Sequence, residues 1–238
     1  MVWRYEFADY GATAVFLDSS PPAPPREVWP VGRSSSTELI RTVTRLEFDL
    51  DEMVRPYQFH SDRVFVVDRD SDYSDVRADA LLTEDRQTAL CILTADCVPV
   101  ALATDAAVAI AHCGWRGILS GLVSKTVHTL RNVARGGDVK VAIGPHICAD
   151  CYEFEGDSAA TVRGRFGGVA FRTVDNRQHL DLSELIKLEV ERSGAVVVAE
   201  SGACTFESSN LSSFRRDATL ERQASFVFRS DHQRRGQE

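Results

Sequence analysis

The sequence predicts an α/β or α+β domain, and three observations carry that expectation. Near-continuous apolar runs of strand length recur along the chain, two stretches place apolar residues at helical spacing, and no composition shift marks an interior boundary. Thr88–Thr94 and Val98–Ala103 lack the alternation of a half-solvated strand, as expected of strands covered on both faces. Residues 64–67, 107–111, 139–143, 195–199 and 224–228 are further strand candidates. Ile118, Leu119, Leu122, Val123, Val127, Leu130 and Val133 predict one helix over 118–134, ended by Gly136 and Gly137. A second helix is expected over 183–193, capped by Asp181 or Ser183 and closed by Gly194.

At 238 residues, the chain is read as one domain spanning 1–238. Residues 18–30 form a proline-rich loop: 19–26 alone hold four of the eight prolines, which excludes helix and central strand. A spacer is the simpler reading, a ligand for a proline-reading domain the alternative. Residues 229–238 read as a polar, flexible tail.

Hydrophobic residues make up 44% and charged residues 26%, which excludes wholesale disorder. With 27 Lys and Arg against 35 Asp and Glu, the net charge of −8 argues against a nucleic-acid partner. A local basic pocket for a small anion is compatible with it. No run approaches the ~20 apolar residues of a membrane span, so no membrane partner is expected. The opening residues lack the basic and apolar regions of a signal peptide, so a cytoplasmic location is expected. Its six cysteines then read as core, metal-binding or catalytic groups before disulfides.

Segments 58–64, 94–99 and 111–117 each place a metal-capable side chain where an apolar run meets a turn: His60, Cys97 and His112. Two imidazoles and one thiolate with a fourth position open suit a catalytic zinc ion. Taken singly, Cys97 reads as a small buried hydrophobe and each histidine as a satisfied core or surface residue. Asp96 is a hydrogen-bonding support for the site or a turn residue. Arg116, opening a helix after Gly114, suits an anion or a surface salt bridge, and Trp115 a flat ring or the core. Cys148 and Cys151 form a C-x-x-C with no second pair and no thioredoxin-like setting. No G-x-S-x-G, G-x-G-x-x-G or P-loop pattern is present.

Together the segments resemble the signature of the laccase-domain family: Gln58-x-His60, Ala95-Asp96-Cys97-x-Pro99 and His112-x-Gly114-Trp115-Arg116-Gly117. The resemblance continues through Ala78-Asp79-Ala80-Leu81, Ile143-Gly144-Pro145, Cys151-Tyr152-Glu153, Leu180-Asp181-Leu182, Cys204-Thr205 and Ser213-Phe214-Arg215-Arg216-Asp217. It departs at Ser61, Cys113, 147–150 and most of the first 50 residues. This family was first described as multicopper polyphenol oxidoreductases, then as purine nucleoside phosphorylases, with relatives that edit peptidoglycan precursors. The resemblance implies a compact domain of two packed central mixed sheets flanked by helices, with His60, Cys97 and His112 as zinc ligands. It also implies phosphorolysis of adenosine, inosine, guanosine and methylthioadenosine, and deamination of adenosine.

On that reading Arg116, with Arg215 or Arg216, holds phosphate; Trp115 lines the substrate site; Gln58 and Asp96 support it. The partners are a small-molecule nucleoside and phosphate. A multicopper oxidase needs about ten histidine ligands and a His₂Cys copper centre. This chain has six histidines, so copper is at most an adventitious occupant. A second enzyme reading makes Cys97 the nucleophile and His112 the base of an amidase or precursor-editing hydrolase. A third is an inactive metal-binding protein.

Overall fold

A computed structural model of the chain describes residues 2–19, 31–34, 50, 52–69, 73 and 75–229. The proline-rich stretch from residue 20 and the tail from residue 230 lie outside the described residues. Two six-stranded mixed sheets dominate. The first contains β1 (Val2–Phe7), β2 (Ala12–Leu17), β3 (Gly32–Ser34), β4 (Glu52–Arg55), β7 (Thr88–Thr94) and β14 (Gln223–Arg229). Its order is β1-β2-β14-β7-β4-β3, antiparallel except for β4 and β7. The second contains β5 (Val64–Val66), β6 (Ala80–Thr83), β8 (Val98–Ala103), β9 (Val108–Cys113), β10 (Lys140–Ile143) and β13 (Val196–Glu200). Its order is β13-β10-β8-β9-β6-β5, with parallel pairing only at its two edges. A hairpin of β11 (Phe171–Val174) and β12 (Arg177–Leu180) stands apart.

The two sheets pack face to face. Phe16, Leu90, Ile92 and Val227 of the first interleave with Leu81, Ala101, Ile110 and Ala142 of the second. Strand β7 shows why its sequence never alternates: Leu90 and Ile92 enter this interface, while Ala89, Cys91 and Leu93 join a separate cluster with Met53 and Phe226. The far face of the second sheet carries the helices. There Val100, Leu102 and Ala109 meet Leu122, Val127 and Leu130 of α2 (Leu122–Val133) and Leu185, Ile186 and Val190 of α4 (Leu182–Arg192). The remaining α-helices among the described residues are α1 (Trp115–Leu119), α3 (Gly156–Phe166) and α5 (Phe214–Asp217). No helix among the described residues is long and apolar enough to cross a membrane.

The single helix expected over 118–134 is two. Helix α1 stops at Ser120, Gly121 takes φ +88°, and α2 restarts at Leu122. An ordinary side chain is strained at that φ, whereas glycine adopts it freely. The apolar spacing runs through the break because both pieces face the same sheet. Asp181, not Ser183, caps α4, its Oδ1 accepting from Glu184 N at 3.0 Å. Helix α3 buries only Ala159, Val162 and Phe166, too few apolar positions to stand out beforehand.

Candidate active site

Strands β7 and β8 belong to different sheets, and three residues join them. Cys97 is the last of the three, immediately before Val98. The turn requires φ +83° at Asp96, and the Asp96 carboxylate secures it. Its Oδ1 accepts from Thr205 Oγ1 at 2.7 Å, and its Oδ2 from Arg215 N at 2.7 Å. Asp96 therefore ties the 205–215 segment to the Cys97 turn and touches none of the metal-capable atoms through those bonds. His112 lies inside β9, one residue before its end and opposite Pro99 in register. His60 sits between β4 and β5 with φ +62°.

Asp79, just ahead of β6, holds the two histidines in place. Its buried carboxylate accepts five hydrogen bonds: from Phe59 N, His60 N, Ser61 N, Ser61 Oγ and His112 Nδ1, the last at 2.9 Å. One acidic side chain thus folds the His60 loop and fixes the His112 tautomer, leaving His112 Nε2 to face the site. Burial opposes the charge on Asp79, but the hydrogen bonds from His112 and Ser61 outweigh it and hold the carboxyl down at about 2. Sequence reasoning matched Asp79 to the family pattern without assigning it a role. Its partners lie 18 to 33 residues away, and three of them are backbone amides, so spacing carried no signal.

The three metal-capable groups converge. Their ligand atoms all lie within 4.8 Å of one another. Cys97 Sγ is 3.6 Å from His60 Nε2, and the imidazoles meet edge to face with centroids 4.8 Å apart. Burial works against the Cys97 thiolate, yet the His112 charge prevails and brings the thiol down to about 6. Burial likewise disfavours the His112 imidazolium, and Cys97 and Asp79 together raise it to about 9. Gly114 keeps the space open: a Cβ there would lie 2.8 Å from His60 Cδ2 and 3.0 Å from Cys97 Sγ. Two imidazoles, one thiolate and an oriented Nδ1 suit a zinc-type ion with one position left for substrate or water.

These groups open into a cavity of about 440 Å³, within the usual size of a small-molecule site. Trp115, Tyr152 and Phe214 form its aromatic wall. Three arginines, Arg116, Arg215 and Arg222, also line it. The Arg116 guanidinium stands 4.3 Å over the Trp115 ring, and no described residue accepts a hydrogen bond from it. Arg215 stacks over Tyr152 at 4.8 Å and donates one Nη to Glu153 O at 2.8 Å. Gln58 lines the cavity and bonds both the N and the O of Leu93, joining the segment before His60 to the end of β7.

Arg216 does not reach the cavity. Its guanidinium donates to the carbonyls of Thr205, Phe206, Ser208 and Leu211 and pairs with Asp217. This corrects the expectation that either arginine could hold phosphate: Arg216 folds the loop that delivers its neighbour. Tyr152, Phe214 and Arg222 also line the cavity without having been given a role. Tyr152 and Phe214 fell within matched segments; nothing in sequence set Arg222 apart.

A protein family described as multi-copper polyphenol oxidoreductase laccase matches residues 36–230. A purine nucleoside phosphorylase of Streptomyces coelicolor is 35% identical over 175 residues, 72% of each chain. An adenosine deaminase, RL5, from an unknown prokaryotic organism is 38% identical over 120 residues, 46% of each chain. Among solved structures, YlmD from Geobacillus stearothermophilus superposes with a TM-score of 0.77 at 24% identity, covering 94% of both chains. That last likeness speaks to the fold alone.

Proposed function

The chain belongs to the multi-copper polyphenol oxidoreductase laccase family, and from that membership we propose that it is a zinc-dependent purine nucleoside phosphorylase with accessory adenosine deaminase activity. One observation carries the reading. His60, Cys97 and His112 share one cavity with arginine side chains and an aromatic wall. The names borne by its relatives, phosphorylase and deaminase, point to nucleoside chemistry. The substrates are a small-molecule purine nucleoside and inorganic phosphate, met in the cytoplasm, where cysteines stay reduced and able to bind metal, in keeping with the lack of a disulfide among the described ones.

Phosphorolysis joins a phosphate oxygen to C1′ of the ribose as the bond from C1′ to the purine breaks. The electron pair leaves with the base, which takes up a proton. Arg116 and Arg215 neutralise and orient the phosphate, and as planar forks they can grip two of its oxygens. Trp115, Tyr152 and Phe214 receive the flat purine. His60, Cys97 and His112 would hold the ion, with Asp79 setting the orientation of His112. When bound, zinc supplies a Lewis acid able to make water nucleophilic near neutral pH, which adenosine deamination requires.

The experiment is to follow free base released from adenosine and inosine, with and without phosphate, by folded, zinc-replete protein. Phosphate-dependent release of base is expected. No release from either nucleoside would reject the assignment. A second reading rests on the Cys97–His112–Asp79 relay, which also fits a cysteine nucleophile with an oriented base in an amidase or precursor-editing hydrolase. That enzyme would work in the presence of a chelator.

A further inference from the structure

The function proposed above leaves Cys148 and Cys151 unused, and the fold supplies the partners that their spacing lacked. The two cysteines bracket a tight turn after β10, where Cys151 N donates to Cys148 O at 3.2 Å. A parallel bridge between His146 and Cys204 lays a distant segment alongside that turn. His146 N donates to Ala203 O at 3.2 Å, and Thr205 N to His146 O at 2.9 Å. Cys148 N in turn donates to Cys204 Sγ at 3.3 Å, and Cys151 Sγ lies 3.7 Å from Glu207 Oε1. Three sulfurs and one carboxylate oxygen, on Cys148, Cys151, Cys204 and Glu207, therefore all lie within 4.8 Å of one another.

We propose that Cys148, Cys151, Cys204 and Glu207 bind a structural zinc ion, a second metal site separate from the His60, Cys97 and His112 centre. Zinc–sulfur bonds of about 2.3 Å in a tetrahedron put ligand atoms about 3.8 Å apart, and the separations here, all within 4.8 Å, are close to that spacing. A thiolate-rich donor set selects zinc over magnesium or calcium. Four protein ligands fill the tetrahedron, which leaves no position for substrate and makes the role structural. The Cys148 N–H donating to Cys204 Sγ holds that sulfur against the turn that carries the other two. Binding takes the protons from the three thiols and releases them to solvent.

The ion would fasten one wall of the catalytic cavity. Tyr152 follows Cys151 directly and lines the cavity, while Thr205 follows Cys204 and donates to Asp96 in the Cys97 turn. Linking the two segments through a metal would hold that wall against the loop carrying Arg215, whose backbone N–H Asp96 also accepts.

The test uses the full chain carrying Cys97→Ala, so that no thiolate remains at the other centre. The protein is reduced, stripped of metal and titrated with Co(II), then with Zn(II). One equivalent of Co(II) is expected to bind with thiolate-to-metal charge-transfer absorption and to be displaced by one equivalent of Zn(II). Adding Cys148→Ser should abolish that absorption. Adding Glu207→Gln at the exposed ligand should keep the fold and weaken binding about tenfold or more. Folded Cys97→Ala protein that shows no thiolate–cobalt absorption would overturn the proposal. So would an intact mass two hydrogens short, marking a disulfide within the cluster, in protein isolated under reducing conditions.

Discussion

Two sulfur-containing clusters in this chain differ in what surrounds them, and that difference separates chemistry from scaffolding. His60, Cys97 and His112 offer three ligands at the floor of a 440 Å³ cavity lined by arginine and aromatic side chains. Cys148, Cys151, Cys204 and Glu207 offer four, and none of them lines that cavity. The first has a buried carboxylate orienting an imidazole and a glycine keeping the space beside His60 and Cys97 clear. An incomplete ligand set facing a pocket is the arrangement of a catalytic ion; a complete set joining two chain segments is that of a structural one.

Removing a ligand from each cluster gives the sharpest contrast. Cys97→Ala should lower phosphate-dependent base release by about a thousandfold or more, with loss of one metal equivalent and little change in Tm. Cys204→Ser should lower Tm while leaving turnover within about tenfold, as expected of an ion that supports the wall. Equal losses of activity from both variants, at equal folding, would erase the distinction.

Asp79→Asn comes next. The amide cannot reproduce all five interactions, so metal affinity should fall about 10–100-fold in a direct titration. The same variant has a signature in acid. The folded-state pKa of Asp79 is held at about 2 against an ordinary 3.8, so its stabilisation is present above pH 4 and fades as pH falls toward 2. The difference corresponds to about 2 kcal/mol. Acid unfolding of Asp79→Asn should lack that part of the slope; an unchanged acid limb would show that the carboxylate is not the organiser.

Smaller effects are expected from the anion groups. Arg116→Lys replaces a planar fork with a point charge and should raise the KM for phosphate about tenfold, leaving the nucleoside KM within about twofold. A rise in the nucleoside KM alone would move Arg116 from phosphate to base. Arg216→Lys, by contrast, should act on stability, because that guanidinium gathers four backbone carbonyls rather than facing the cavity.

Much of the fold was readable because its strands are covered on both faces: β7 and β8 appear over the residues their apolar runs span. The break at Gly121 was not, since both helix pieces keep their apolar side on one sheet and periodicity is blind to a turn that preserves facing. His60, Cys97 and His112 were legible as metal-capable residues at strand ends. Arg215 and Arg216 were not separable, because which of two adjacent arginines faces a cavity depends on the turn of α5 and on the carbonyls within reach. Asp79 and Cys204 escaped for a shared reason: each acts through partners far along the chain, brought close only by the pairing of strands and bridges.

The most direct measurement strips the full chain of metal, assays base release from inosine with phosphate, and then restores zinc. Metal-free protein is expected to be folded and inactive, with phosphate-dependent activity that returns with zinc and does not return in Cys97→Ala. Metal-free protein releasing base as fast as the zinc-loaded form would contradict that expectation.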